Sequence, residues 1–313
     1  MTDAPTSDVV VVIPAFRAAS TLADALASVE SQTIAPREVV VVLDGDDPEA
    51  ERVASDWTQR LPLRAEVQAH AGPAAARRRA LELSTAPRVA LLDADDVWLP
   101  EHLASLVDVH RRLGGIVTAD AFLWTGERTG TQTRRHRFPV PVPERQLVEI
   151  LRENFVFIGS LFSRADYERA GGFRDGFTGA EDWDLWIRMI RAGAVVHAVP
   201  GPPTVRYRVA GHSLTRAPEV YDRYIAVLEA AAPACRTAEE GTVVSRRLRW
   251  LRARRRLARA YAAAGAGDPA AARREATGAF RGSVVIAAQA FCLFVAPRVA
   301  AALGRRLRSG RLG

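Results

Sequence analysis

Three nearly continuous apolar runs, VVVVIPAF (residues 9–16), EVVVVLD (38–44) and RVALLDA (88–94), constrain this chain more than any other feature. β-Branched runs without polar alternation are what strands look like when both faces of a parallel sheet are covered. A fourth, more polar run, LRAEVQAH (63–70), joins them. Between them lie segments at helical spacing: Leu22, Leu26 and Val29, then 49–60, then 74–83. Strands alternating with helices predict right-handed crossovers and a doubly wound α/β sheet. In such sheets ligands sit outside the carboxyl ends of the strands. Those ends carry Pro14, Ala15 and Phe16; Asp44 and Gly45; His70 and Gly72; and Asp93, Asp95 and Asp96.

The last of these ends, VALLDADDVWLP (89–100), runs an apolar strand into three carboxylates. Two unit charges about 4 Å apart repel by roughly 4 kcal/mol at an effective dielectric near 20, so the cluster needs compensation. One reading is a helix cap, with Asp96 ahead of Pro100 and Glu101 in a first turn. The other is a hard cation: alternation around Ala94 puts Asp93 and Asp95 on one side of an extended backbone, where they can share Mg2+ or Mn2+ with phosphate oxygens. The segment alone leaves both open.

Further along, IVTADAFLW reads as a strand followed by a polar excursion to residue 140. A helix from Arg145, a strand IGSLFSR, a Gly171-Gly172 turn and a helix carrying AEDWDLWIRMIRAG come next, and AVVHAVP and PPTVRYRVAGHSLT close this part. Beyond Pro218 the chain is Ala/Arg-rich and helical, broken at Gly265 to Pro269 like one tetratricopeptide-type hairpin; a single such unit makes no solenoid.

With VVIPAF, VVVVLDG, HAGPAAARRRAL, LLDADDVWLP, GGF and EDWDLWIRM in this order, the chain resembles the family 2 glycosyltransferases of the GT-A fold over residues 8–215. The resemblance implies a Rossmann-like mixed sheet flanked by helices, forming a catalytic domain over 1–215; the Ala/Arg-rich remainder reads as a C-terminal α-helical extension over 216–313. It implies an inverting transfer of a sugar from a nucleotide-diphosphate donor, a UDP-sugar favoured, to a hydroxyl of a glycan or lipid-linked acceptor. Surface polysaccharide, glycolipid or glycoprotein assembly is the implied setting, and the implied cofactor is a divalent metal, Mn2+ or Mg2+. Carried over position by position, Pro14, Ala15 and Asp44 hold the nucleotide base, and Arg77 lies near the donor. Asp93 contacts the ribose or a metal-bound water, and Asp95 is the direct metal ligand. Asp182 is the base that takes the acceptor proton. Glu181 and Trp183 orient the acceptor or support the base, Asp184 serves the helix's first turn, and His212, beyond Arg206 and Arg208, is a further candidate metal ligand. Without the resemblance, Asp44 also reads as a turn residue and EDWDLW as an acidic helix start with core tryptophans.

The chain departs from the family pattern where Leu43 precedes Asp44 and where His70 and Arg78 replace common asparagines. These changes leave the donor's identity open. A nucleotidyltransferase would need a glycine-rich phosphate loop, and IPAFRAAS has no glycine. A non-catalytic, membrane-associated nucleotide-sugar binding protein remains the other alternative.

Charge is uneven along the 313 residues. The net +7 combines +13 over residues 236–313 with −6 over 1–235, and every basic residue is Arg. Eight Arg lie between Arg246 and Arg259, interleaved with Leu248, Trp250, Leu251 and Leu257. No nucleic-acid motif accompanies them, which disfavours that partner. A helix on an anionic membrane surface and a helix packed on protein are the competing readings. VVIAAQAFCLFVAP has about 13 apolar positions, short of the roughly 20 needed to span a bilayer. Two cysteines form no framework and MTDAPTSD has no signal-peptide pattern, so the expected location is the cytoplasm, at the cytoplasmic face of the membrane.

Overall fold

The computed structural model describes residues 6–124, 133–134, 140–177, 179–209, 219–280 and 284–295. The chain divides into two compact units, Met1–Gly211 and His212–Gly313.

The first unit starts with β1 (Val9–Ala15), α1 (Leu22–Glu30), β2 (Glu38–Asp44), α2 (Pro48–Trp57), β3 (Leu63–Gln68), α3 (Pro73–Glu82) and β4 (Arg88–Leu91). β1, β2 and β4 are buried along nearly their whole length, whereas β3, at the sheet edge, alternates towards solvent. That difference is why the first three read as continuous apolar runs and the fourth does not. The helices start on local chemistry: Asp47 accepts from the Ala50 N–H at 3.1 Å ahead of Pro48, and Pro73 opens α3 behind Gly72.

Next come β5 (Val97–Trp98), α4 (His102–Leu113), β6 (Ile116–Thr118), β7 (Ala121–Trp124), β8 (Thr133–Arg134), α5 (Pro143–Arg152), β9 (Leu161–Ser163), α6 (Arg164–Arg169), α7 (Glu181–Arg191), β10 (Val196–Ala198) and β11 (Val205–Arg208). The main sheet has seven strands in the order β10-β6-β9-β4-β1-β2-β3, and β9 runs antiparallel between β4 and β6, which makes the sheet mixed. A second sheet has the order β5-β11-β7-β8. The expected single strand IVTADAFLW is two: β6 joins the main sheet, and after Ala119-Asp120 β7 pairs with β11 in the second. The helix cap that is one reading of Asp96 is not formed. α4 begins only at His102, after β5, and Asp96 is committed elsewhere.

The second unit holds α8 (Val220–Ala231), α9 (Ala238–Gly265), α10 (Pro269–Ala279) and α11 (Val284–Val295). Thr237 caps α9 and Asp268 caps α10 by accepting main-chain N–H bonds three residues on. Ala253, Leu257, Ala260 and Ala264 of α9 pack on Ala272, Ala276 and Ala279 of α10, a small-residue seam that closes the hairpin read from the sequence. Part of the arginine run is engaged by protein: Arg252 pairs with Glu229, and Arg255 and Arg259 with Asp222. Among the described residues no helix is long and apolar enough to cross a membrane.

Candidate active site

The parallel register brings the polar strand ends to one edge. Ala15 lies opposite Leu43, and Val12 opposite Leu91. Asp44 therefore stands one residue beyond Ala15, and Asp93 is level with Pro14. Ala15 is buried, so it offers a ligand only main-chain groups.

Asp44 is buried and fully occupied by its own fold. Its carboxylate accepts from Gln68 Nε2 and from the Ala71 and Gly72 N–H groups, each at 2.8 Å, and Oδ2 lies 2.9 Å from His70 Nδ1. Burial works against its charge, but these donors more than offset it and hold the carboxyl below its ordinary range. The residue expected to accept a nucleobase N–H is thus first the clamp of the turn between β3 and α3. Beside it the His70 ring stacks on Phe16, with centroids 4.2 Å apart, and Phe16 is 49% exposed.

Arg77 is the hub. Only 3% exposed, it donates to Asp93 Oδ1 at 2.6 Å and forms an ion pair with Glu181, whose other oxygen accepts from the Gly179 N–H at 2.6 Å. Burial opposes the charge of the guanidinium, yet the two carboxylates hold it protonated beyond its ordinary value. This burial distinguishes Arg77 from an ordinary exposed helix charge.

Asp95 reaches solvent, yet the enclosing protein desolvates its carboxyl and, with the Asp93 charge beside it, pushes it up to about 6. Among the described residues its carboxylate has no ion-pair partner. Nearby Arg208 instead donates Nε to the Asp95 main-chain oxygen at 2.9 Å and a terminal nitrogen to Asp24 at 3.0 Å. Asp96 Oδ1 accepts the Arg208 N–H at 2.9 Å, tying the carboxylate turn to β11. His212 lies outside the described residues.

At the start of α7, Asp182 accepts from Asn154 Nδ2 at 3.1 Å. Burial first, and then the Glu181 charge, push its carboxyl up to about 6. Trp183 is buried, with its indole N–H donating to the Ile150 main-chain oxygen at 2.7 Å, so it supports the packing of α7 on α5. Asp184 was expected to serve the helix's first turn. It stands in that first turn and is also a buried anchor gripped by Arg174 and, at 2.7 Å, by Arg188. Nothing in RENFV marks Asn154 as the side chain that meets Asp182, because its partner lies 28 residues later.

The arrangement brings two neighbouring carboxylates, Asp93 and Asp95, to the end of β4 and sets a separate carboxylate with a raised pKa, Asp182, at the start of α7. A hard divalent ion fits the first pair, since oxygen donors suit Mg2+ or Mn2+ and Asp95 carries an unmatched charge. Asp93 has one oxygen committed to Arg77, which leaves the other for an ion. Among the described residues no group of three or more His, Cys, Asp or Glu side chains could hold a metal by itself.

Residues 10–171 match the family described as glycosyl transferase family 2. The succinoglycan biosynthesis protein ExoU of Rhizobium meliloti is 31% identical over 237 residues, covering 69% of this chain and 66% of that protein's length. The amylovoran biosynthesis glycosyltransferase AmsE of Erwinia amylovora is 27% identical over 194 residues, covering 61% of this chain and 71% of its own. Among solved structures, S. aureus TarS 1–349 with UDP-GlcNAc superimposes with a TM-score of 0.63 at 15% identity, over 95% of this chain and 91% of that one. The mannosyltransferase PcManGT of Pyrobaculum calidifontis with GDP-Man and Mn2+ gives 0.56 at 20% identity, over 95% and 86%. At these identities the structural likeness establishes the fold, which is GT-A.

Proposed function

Since the chain belongs to glycosyl transferase family 2 and is a glycosyltransferase of the GT-A fold, we propose that it transfers a sugar, with inversion, from a nucleotide-diphosphate donor to a hydroxyl of a glycan or lipid-linked acceptor in surface polysaccharide assembly. The relatives named for succinoglycan and amylovoran biosynthesis support that setting. Structures solved with UDP-GlcNAc and with GDP-Man support a nucleotide-sugar donor; a UDP-sugar is the favoured class.

The observation that carries the reading is the separation of roles around Arg77. Its guanidinium holds Asp93 on the donor side and Glu181 on the acceptor side, with Asp182 next in the chain. Asp182 takes the proton of the acceptor hydroxyl as that oxygen bonds to the anomeric carbon and the bond to the diphosphate breaks. Asn154 keeps the carboxylate aimed. Phe16 and His70 offer a flat face for the nucleobase, and Asp44 fixes the turn that carries His70. A divalent ion at Asp93 and Asp95, Mn2+ or Mg2+, would neutralise charge developing on the leaving diphosphate. Incubation with UDP-sugars and oligosaccharide acceptors tests this: the wild type releases UDP and forms a product of inverted anomeric configuration, and Asp182→Asn does not. Release of UDP with retained configuration would contradict the proposed chemistry.

The second unit supports peripheral attachment to an anionic membrane. Phe291 and Phe294 of α11 are 58% and 43% exposed beside a strongly basic tail sequence, the pairing of apolar and cationic groups that interfacial helices use. Cosedimentation with anionic but not neutral vesicles is the expected outcome, and indifference to both overturns it.

A further inference from the structure

In the first unit, α1 and the second sheet enclose an open groove of about 640 Å3, within the range of about 300–1,000 Å3 common for small-molecule sites. Asp24, Ala27 and Ser28 of α1 line one side, with Ser31 just beyond the helix. Trp98, Trp124 and Arg206 line the other. The groove is adjacent to the carboxylate turn, because Arg206 pairs in register with Val97, two residues after Asp95.

Arg206 and Arg208 are two apart on β11 and share a face of the strand. Arg208 is satisfied by Asp24, by the Asp95 main-chain oxygen and by the Trp124 ring 4.4 Å away. Arg206 has no hydrogen-bond or ion-pair partner among the described residues, and its Nε is sealed from water without an acceptor. The indole N–H of Trp98, a residue 2% exposed, is also buried without an acceptor. The one carboxylate lining the groove, Asp24, is already held by Arg208. Buried donors left unmade are costly. Those two atoms are sealed, but the Arg206 side chain is itself partly exposed in the lining of the open groove, where an acceptor from outside the protein can reach its guanidinium. An unmatched guanidinium selects a carboxylate or phosphate, while serine hydroxyls and indole rings suit the sugar that bears it.

We propose that this groove binds an anionic saccharide, one carrying a carboxylate or a phosphate, and that Arg206 is the residue that selects for the charge. The proposal rests on the reading of the acceptor as a glycan and adds its chemical class: the acidic part of the acceptor is anchored beside the carboxylate turn.

Calorimetry on the full chain tests this with glucuronic acid and glucose 1-phosphate, with glucose as the neutral control and UDP titrated separately. At least one acid binds about tenfold or more tightly than glucose, as a charge-assisted bond requires. Arg206→Gln removes that preference, Arg206→Lys keeps part of it, and neither alters UDP binding. Equal binding of glucose and both acids, an unchanged Arg206→Gln protein, or displacement of the acid by UDP would each overturn the proposal. Acid binding that depends on Arg206 in a protein that ignores UDP would sustain the groove and count against the donor reading alone.

Discussion

Arg77 and Glu181, 104 residues apart in the chain, form an ion pair with both side chains sealed from water. The same guanidinium holds Asp93, so α3, the carboxylate turn and the start of α7 move as one body. Breaking a buried pair by deleting one partner costs about 3–5 kcal/mol, because the other charge is left uncompensated. Arg77→Ala is expected to lose stability on that scale in urea unfolding. Arg77→Lys falls between the two, since an ammonium cannot span both carboxylates as a planar fork does.

Asp182 carries opposite demands from catalysis and stability. Burial and the Glu181 charge hold its folded carboxyl at about 6, above the ordinary value of about 3.9 for the unfolded chain. The folded state therefore binds the proton more tightly. The stability this contributes is full below the unfolded value and is lost as pH rises through about 6. Asp182→Asn, which has no charge to bury, should gain stability relative to wild type at pH 8 and lose that advantage below pH 4, read by thermal unfolding across pH. As a base the group must be ionised, so wild-type kcat/KM should fall below pH 6, and the variant should lose at least about a hundredfold in kcat.

Asn154→Ala separates positioning from folding. The Asn154 amide donates to the Asp182 carboxylate, and a bond to the charged form lowers a carboxyl pKa. Removing it should move the acid limb of the kcat/KM profile to higher pH while leaving nucleotide affinity unchanged. A loss of activity with no movement of that limb would indicate a packing role.

Gly72 turns the chain into α3 at φ +91°, with its N–H donated to Asp44. A side chain there is strained by about 1–3 kcal/mol. Gly72→Ala should lower the unfolding midpoint accordingly and, by loosening the turn that carries His70, weaken nucleotide binding.

Much of this site is legible in the chain because parallel strands buried on both faces leave an unbroken apolar record, and their polar ends stand out against it. Asp44, Asp93 and Asp95 are visible for that reason. What escapes depends on partners distant in sequence. IVTADAFLW reads as one strand because its division is imposed by β11, some 80 residues on. Asp184 resembles a helix-start charge until Arg174 is folded back onto it. Arg77 sits among three consecutive arginines, and only the fold distinguishes the one that is buried. The unmatched pair at Trp98 and Arg206 has no local signature, since an absent partner leaves none.

The central claim, that Asp93 and Asp95 with the adjoining strand ends bind a nucleotide diphosphate together with a divalent ion, is tested most directly by calorimetric titration of UDP, GDP and TDP with and without Mn2+. Wild type and Asp95→Ala are to be compared. One nucleotide should bind wild type only in the presence of the ion, with the heat abolished by the substitution while the folded state persists. Binding that ignores both the ion and the substitution would contradict the assignment of Asp95.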